Sequence, residues 1–267
     1  MRLLQHKAEA YWFYRVLSLV YDRWVNPLFW TPAMRTRALA AAALDERGLR
    51  TLDAGAGTGF TTEGIIELVD PERVTMLDQS PHQLARARAK PALAPCAKLL
   101  GDAEDLPFGE GEFDRYVSAG SIEYWPDPQR AVAEAYRVLA AGGRAVVIGP
   151  VRPANAVLRA LADAWMLFPT ELQYREWFER AGFAGVELLP LAPSWYRSRR
   201  GPYAVAVSGS KPAPGPSPLE LPPPQAAAAP PVRTALRFAA GSLAGAAFLP
   251  IAAVLALRQR LQERRAP

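Results

Sequence analysis

Between residues 50 and 210 the chain alternates short apolar runs with stretches whose apolar positions recur every three to four residues. The runs at Arg50–Asp53, Val74–Leu77, Asp114–Ser118 and Arg144–Ile148 are short, apolar and bounded by turn residues, as buried strands are. A further strand is predicted to end at Gly101-Asp102. Helical spacing marks Thr61–Leu68, Pro81–Ala89, Pro128–Leu139 and 170–182, and Val186–Leu189 and Tyr203–Val207 read as closing strands. Strand and helix in turn predict an α/β domain over 43–210, with seven strands in a mostly parallel sheet covered by helices on both faces.

Two flanks break that rhythm. The stretch YWFYRVLSLVYDRW, 11–24, places Arg15, Ser18 and Asp22 on a narrow polar stripe, and Tyr14, Leu17, Tyr21 and Trp24 share another face. Helical patterning over 8–42 is broken at Asn26-Pro27 and Thr31-Pro32, where Thr31 is an N-cap ahead of a first-turn proline. Residues 1–42 are therefore expected to form an aromatic helical lid. At the other end, 211–233 is dominated by proline and alanine and is expected to be a semi-rigid tether. Within 234–258, Phe238–Leu257 carries no charge and as a helix would be about 30 Å long, matching a bilayer core. Such a segment is expected to anchor the protein by spanning the bilayer or by lying in its interface. Gly241 and Gly245 give it a small-residue pair that would support weak homodimerisation.

Composition narrows the partners. The net charge is +5, and arginines 258, 260, 264 and 265 gather around the basic tail 259–267, next to the apolar run, which suits anionic lipid headgroups and argues against nucleic acid. One cysteine and two histidines exclude a disulfide framework and make a metal site improbable, so no metal is expected. The opening MRLLQHKAEA lacks the apolar core of a signal peptide.

The candidate chemistry sits at the strand ends. TLDAGAGTGF, 51–60, puts Gly55, Gly57 and Gly59 between a strand and a helix, where a backbone turn can approach a ligand closely. Dinucleotide binding is the rival use of such a loop. Asp53 argues against it, because a carboxylate there repels pyrophosphate and suits the ammonium and sulfonium of S-adenosylmethionine. Asp78, ending the second strand, can accept from both ribose hydroxyls, and Asp102 with the Ala103 backbone can read the adenine edge. Gln79 and Ser118 complete the candidate cofactor contacts. After the fourth strand, Glu123 is the candidate base, with Tyr124 and Trp125 forming an aromatic slot; the alternative is a turn cap with core aromatics. Asp22 would reach the acceptor if its helix folds over the site. His82, at a helix start, reads as a capping or surface residue.

These residues resemble a known family. Asp53–Gly59, Asp78, Gly101–Phe108 and FPTELQYREWFERAGF at 168–183 look like class I methyltransferases of the ubiquinone and menaquinone biosynthesis type. YWFYRVLSLVYDRWVNPLFWTPAMR at 11–35, LDQSPHQLARA at 77–87, FDRYVSAGSIEYWPDPQRA at 113–131 and WMLFPTE at 165–171 resemble, more closely, the 2-methyl-6-phytyl-1,4-benzoquinol methyltransferases of tocopherol and plastoquinone synthesis. The resemblance implies a Rossmann-like fold and C-methylation of a phytylated or solanesylated benzoquinol. It implies a membrane-associated enzyme, its catalytic domain in a prokaryotic cytoplasm or on the plastid inner envelope. Methylation of demethylmenaquinol, demethylubiquinol or a sterol is the alternative activity, and a non-catalytic cofactor-binding scaffold the alternative class.

Overall fold

The computed structural model describes residues 30–156, 159–160, 162, 166–196 and 201–221. The aromatic stretch 11–24 with Asp22, the tether beyond 221, the uncharged stretch 238–257 and the basic tail lie outside these residues. Among the described residues, no helix is long and apolar enough to cross a membrane.

Seven strands form one sheet: β1 (Thr51–Ala54), β2 (Val74–Asp78), β3 (Ala97–Leu100), β4 (Phe113–Ala119), β5 (Leu139–Pro150), β6 (Ala184–Leu191) and β7 (Ala204–Ser210). Their order is β3-β2-β1-β4-β5-β7-β6, and β7 alone runs antiparallel, pairing with both β5 and β6. This is the mostly parallel seven-stranded sheet expected from the alternating pattern, and the Rossmann-like arrangement that the resemblance implies. β1 is buried at all four positions because it lies inside a sheet covered on both faces. β3, at an edge, is half exposed, which is why its apolar signal is weak. β5 extends four to five residues earlier than its apolar core suggests, since Leu139 already pairs with Phe113 before the small residues Ala140–Gly143.

Five helices among the described residues fill the two faces: α1 (Pro32–Leu39), α2 (Phe60–Ile65), α3 (Pro81–Arg88), α4 (Pro128–Val138) and α5 (Glu171–Ala181). Each of α1, α3, α4 and α5 starts at a side-chain cap, Thr31, Ser80, Asp127 and Thr170, and in the first three proline follows directly. On one face Val132, Tyr136, Tyr174 and Phe178 from α4 and α5 pack on the sheet; on the other, Met34 and Leu39 of α1 join Ile65, Met76 and Leu93. Helix α1 thus belongs to the domain body and not to a separate lid.

The chain also stays on the domain past β7. Lys211 is buried, with its ammonium 4.8 Å from the Tyr136 ring centroid, and Ser217 Oγ donates to the Ala181 carbonyl at 2.9 Å. The proline-rich tether expected from residue 211 therefore begins as a packed segment.

Candidate active site

All parallel strands deliver their carboxyl ends to one edge of the sheet, and the order reverses between β1 and β4, which opens a crevice there. A cleft of about 1020 Å³, counted to its open mouth, lies at this switch point. Its floor is the β1–α2 turn. Gly55 has φ +72°, and a Cβ there would come within 2.5 Å of the Ser121 Cβ, so the segment after β4 and the turn meet only because residue 55 has no side chain. Gly57, φ +56°, turns its N–H onto Asp78 Oδ2 at 2.8 Å.

Asp78 is the pivot of one wall. Its other oxygen, Oδ1, accepts from the Ser80 N–H at 2.8 Å. Burial raises its pKa, and the bonds from Ser80 and Gly57 act against that rise. Beside it lies the segment 101–108 after β3, whose Gly101 N–H donates to the Asp78 carbonyl at 3.1 Å, and it is tied down from several sides. Glu104 Oε1 accepts from the Asp127 N–H at 2.7 Å, and Glu104 N–H donates to Asp102 Oδ1 at 2.9 Å. Glu134 Oε2 accepts from the Leu106 N–H, and Arg137 donates to the Leu106 and Phe108 carbonyls. These bonds fix Asp102 and Ala103 in the cleft lining next to Asp78.

The predicted cofactor residues divide into two groups. Gly55, Gly57, Asp78, Gln79, Asp102 and Ala103 line the cleft together. Asp53, Gly59 and Ser118 are buried behind that lining. Asp53 is fully enclosed: Oδ2 accepts from Thr62 Oγ1 at 2.6 Å, Oδ1 has no partner, and burial pushes its pKa up to about 7 against the Thr62 bond. Ser118 Oγ meets Ser121 Oγ at 2.5 Å, so Ser121, not Ser118, faces the cleft.

Glu123 lies in a single 3-10 turn, Ile122–Tyr124, with its carbonyl accepting from the Leu167 N–H. Its side chain is buried, Oε2 has no partner, and burial pushes its pKa up to about 7. Oε1 would be 3.9 Å from a Cβ on Gly120, a residue of the cleft wall, so the carboxyl sits directly behind that wall. Tyr124 and Trp125 line the cleft, as the aromatic slot requires, and Trp30 and Phe60 extend the aromatic surface. Reading the sequence did not single out Trp30, Phe60, Gln83 or Ser121. Gln83 had a signal, since it stands at the third position of a helix that begins immediately after a strand-end acid. His82 is exposed.

Among the described residues lining the cleft there are two carboxylates and no lysine, arginine or histidine. Such a wall suits a cationic ligand and repels a pyrophosphate. Asp78, with two amide donors already on its oxygens, retains lone pairs for a diol, so the residues present fit S-adenosylmethionine.

A family model described as a methyltransferase domain matches residues 52–147, from β1 into β5. Over 257 residues the chain is 52% identical to the 2-methyl-6-phytyl-1,4-hydroquinone methyltransferase, chloroplastic, of Arabidopsis thaliana, covering 94% of this chain and 76% of that one. The spinach protein of the same name is 57% identical over 225 residues, 83% of this chain and 65% of the relative's length. A solved S-adenosylmethionine-dependent methyltransferase from Thermotoga maritima superposes with a TM-score of 0.59 at 22% identity, covering 75% of this chain and 99% of that one, and shares the fold.

Replacing Asp78 by alanine removes the acceptor and frees the Gly57 and Ser80 amides. Each hydrogen bond to a charged group contributes about 1.5–3 kcal/mol, so Asp78→Ala should weaken S-adenosylhomocysteine binding roughly tenfold to a hundredfold or more. Calorimetric titration measures this; an unchanged Kd would dissociate Asp78 from the cofactor.

Proposed function

The chain belongs to the 2-methyl-6-phytyl-1,4-hydroquinone methyltransferase family, and on that premise we propose that it methylates a ring carbon of a prenylated benzoquinol, 2-methyl-6-phytyl- or 2-methyl-6-solanesyl-1,4-benzoquinol in type. The observation that carries this reading is the cleft wall, with two carboxylates, an aromatic side and no cation among its described residues, intact in a member of that family. S-adenosylmethionine, held by Asp78, Asp102 and the Gly55–Gly57 turn, supplies a methyl group already activated on a sulfonium.

The chain's own task is then to hold the acceptor, exclude water and move a proton. A quinol ring carbon gains nucleophilicity as its hydroxyl loses a proton, and a phenol titrates near pKa ~10. Glu123 acts as the base in this reading: its carboxyl lies behind the Gly120 wall, so that wall must shift for Oε2 to take the hydroxyl proton while the new carbon–carbon bond forms, and the ring later releases its own C–H proton to regain aromaticity. Tyr124, Trp125 and Trp30 border the acceptor with apolar surface. Residues 11–24, Asp22 among them, cover the site and admit the prenyl tail. The stretch 238–257 holds the protein to the membrane that carries its substrate, with weak self-association through Gly241 and Gly245.

Purified protein incubated with methyl-labelled cofactor and 2-methyl-6-phytyl-1,4-benzoquinol should label the quinol. Label in demethylmenaquinol or a sterol instead would replace the substrate, and no label in any acceptor would leave a scaffold.

A base with pKa about 7 works in its ionised form, so turnover should fall as pH drops through about 7. Glu123→Gln should lower kcat by about 10²–10⁴-fold and flatten the profile above pH 6. A variant with wild-type kcat would remove Glu123 from the chemistry.

Deleting residues 1–24 should cut activity on the phytyl quinol far more than affinity for S-adenosylhomocysteine, and ending the chain at 221 should release it from floated vesicles. Equal losses of activity and cofactor affinity, or a truncated chain that still floats, would return these flanks to packing or linker roles.

A further inference from the structure

The loop that joins β6 to β7 carries three aromatic rings that pack on one another. The ring centroids of Trp195 and Tyr203 lie 5.6 Å apart, those of Tyr196 and Tyr203 5.4 Å and those of Trp195 and Tyr196 6.2 Å, all edge to face. All three residues are half-buried. Tyr203 leans on the apolar cluster of the α1 face, but neither Trp195 nor Tyr196 belongs to either core cluster of the described residues. The loop is pinned all the same. The Tyr196 N–H donates to the Pro193 carbonyl at 3.0 Å, its hydroxyl donates to the Gly201 carbonyl at 3.2 Å, and the Val151 N–H donates to the Tyr203 carbonyl at 3.1 Å. Indole and phenol rings held firmly outside a core suit a boundary between water and an apolar phase, because each has an apolar body and a polar tip.

This loop stands at the same end of the sheet as the mouth of the cleft. The Gly120 N–H of the cleft wall donates to the Ile148 carbonyl, and two residues further on Pro150 pairs with Ala204, as Leu191 does. Residues 192–203 therefore leave the sheet at the pole where the cleft opens, with β7 two strands from β4, or about 10 Å across the sheet. Trp30, which lines the cleft, packs on the same apolar cluster as Tyr203. A single flat surface laid against that pole can meet the rings and the mouth together.

Charge selects the surface. Arg152, next to Val151, and Arg159 are exposed, and the described residues of 151–160 and 191–203 include no acidic side chain. Positions 197–200 lie outside the described residues; as sequence alone they add three arginines and no acid. Aromatic rings beside guanidinium groups, with no carboxylate among them, match the headgroup layer of an anionic bilayer. Building on the lipid acceptor proposed above, we infer that the loop bearing Trp195, Tyr196 and Tyr203 docks on an anionic bilayer and sets the cleft mouth against the leaflet that carries the quinol. One loop of this size gives marginal, reversible contact, so it orients a chain held by its tail and does not replace the tail.

The test places an environment-sensitive nitrobenzoxadiazole probe on full-length protein, either at Ser194→Cys beside the rings or at Ala213→Cys at the opposite pole; both positions are exposed, and Cys96 is buried. Phosphatidylcholine vesicles with about 30% phosphatidylglycerol, and no quinol, should shift the probe at 194 to the blue and expose it to a spin-labelled headgroup, leaving the probe at 213 unchanged. The shift should be lost in Trp195→Ser and reduced when Arg152 and Arg159 are both changed to Glu; the second variant leaves the ring packing alone and serves if the first fails to fold. Trp195→Ser should also lower turnover of phytyl quinol in those vesicles about tenfold, with turnover of detergent-dispersed quinol unchanged. No shift at 194, equal shifts at both poles, or a loss of turnover equal in vesicles and detergent would overturn the proposal. The probe needs no acceptor, so a protein that docks but methylates no quinol would overturn the proposed substrate and leave the docking standing.

Discussion

The carboxylate of Asp78, held by the amides of Gly57 and Ser80, connects the two turns from which the cleft is built. The turn after β1 also hangs on the Leu77 carbonyl through the Gly55 and Ala56 amides, and Asp78 adds the acceptor for the Gly57 N–H. At the start of α3 it holds the amide of Ser80, whose hydroxyl is the helix cap. Two charge-assisted bonds would ordinarily depress a carboxylate's pKa, yet here the net shift is upward. Desolvation wins, so the site is electrostatically incomplete as it stands.

The same imbalance recurs nearby. Asp53 and Glu123 each keep one oxygen without a partner, and burial pushes both toward pKa values of about 7. Because the folded values exceed the unfolded ones, these groups favour the folded state fully at acidic pH. That contribution is lost as pH rises from about 4 through about 7. At neutral pH the empty domain therefore concentrates uncompensated negative charge around its cleft, and a cationic ligand relieves it.

The sheet was legible in the sequence because its strands are short apolar runs that end in acids, and a strand's end in a parallel sheet is also where ligands sit. Asp78, Asp102 and the glycines were legible for the same reason. What one position could not disclose was depth: Asp53 and Ser118 share the strand ends but point behind the lining, the first toward Thr62 and the second toward Ser121. Gln83 and Trp30 were missed because their importance depends on where a helix start and a loop come to rest, not on a local pattern. Composition likewise marked 211–221 as tether, although Lys211 and Ser217 are fastened to α4 and α5.

That fastening sets the direction in which the chain departs. Ser210 pairs with Arg144 and Ala184, at the edge of the sheet opposite the cleft, and Lys211 to Ser217 stay near that edge, beside Gly143 and Ala181. The polypeptide thus leaves the domain from the pole farthest from its mouth. Among the described residues, none from β7 onward lines the cleft, so the chain that continues past the sheet leaves the mouth to the residues before it.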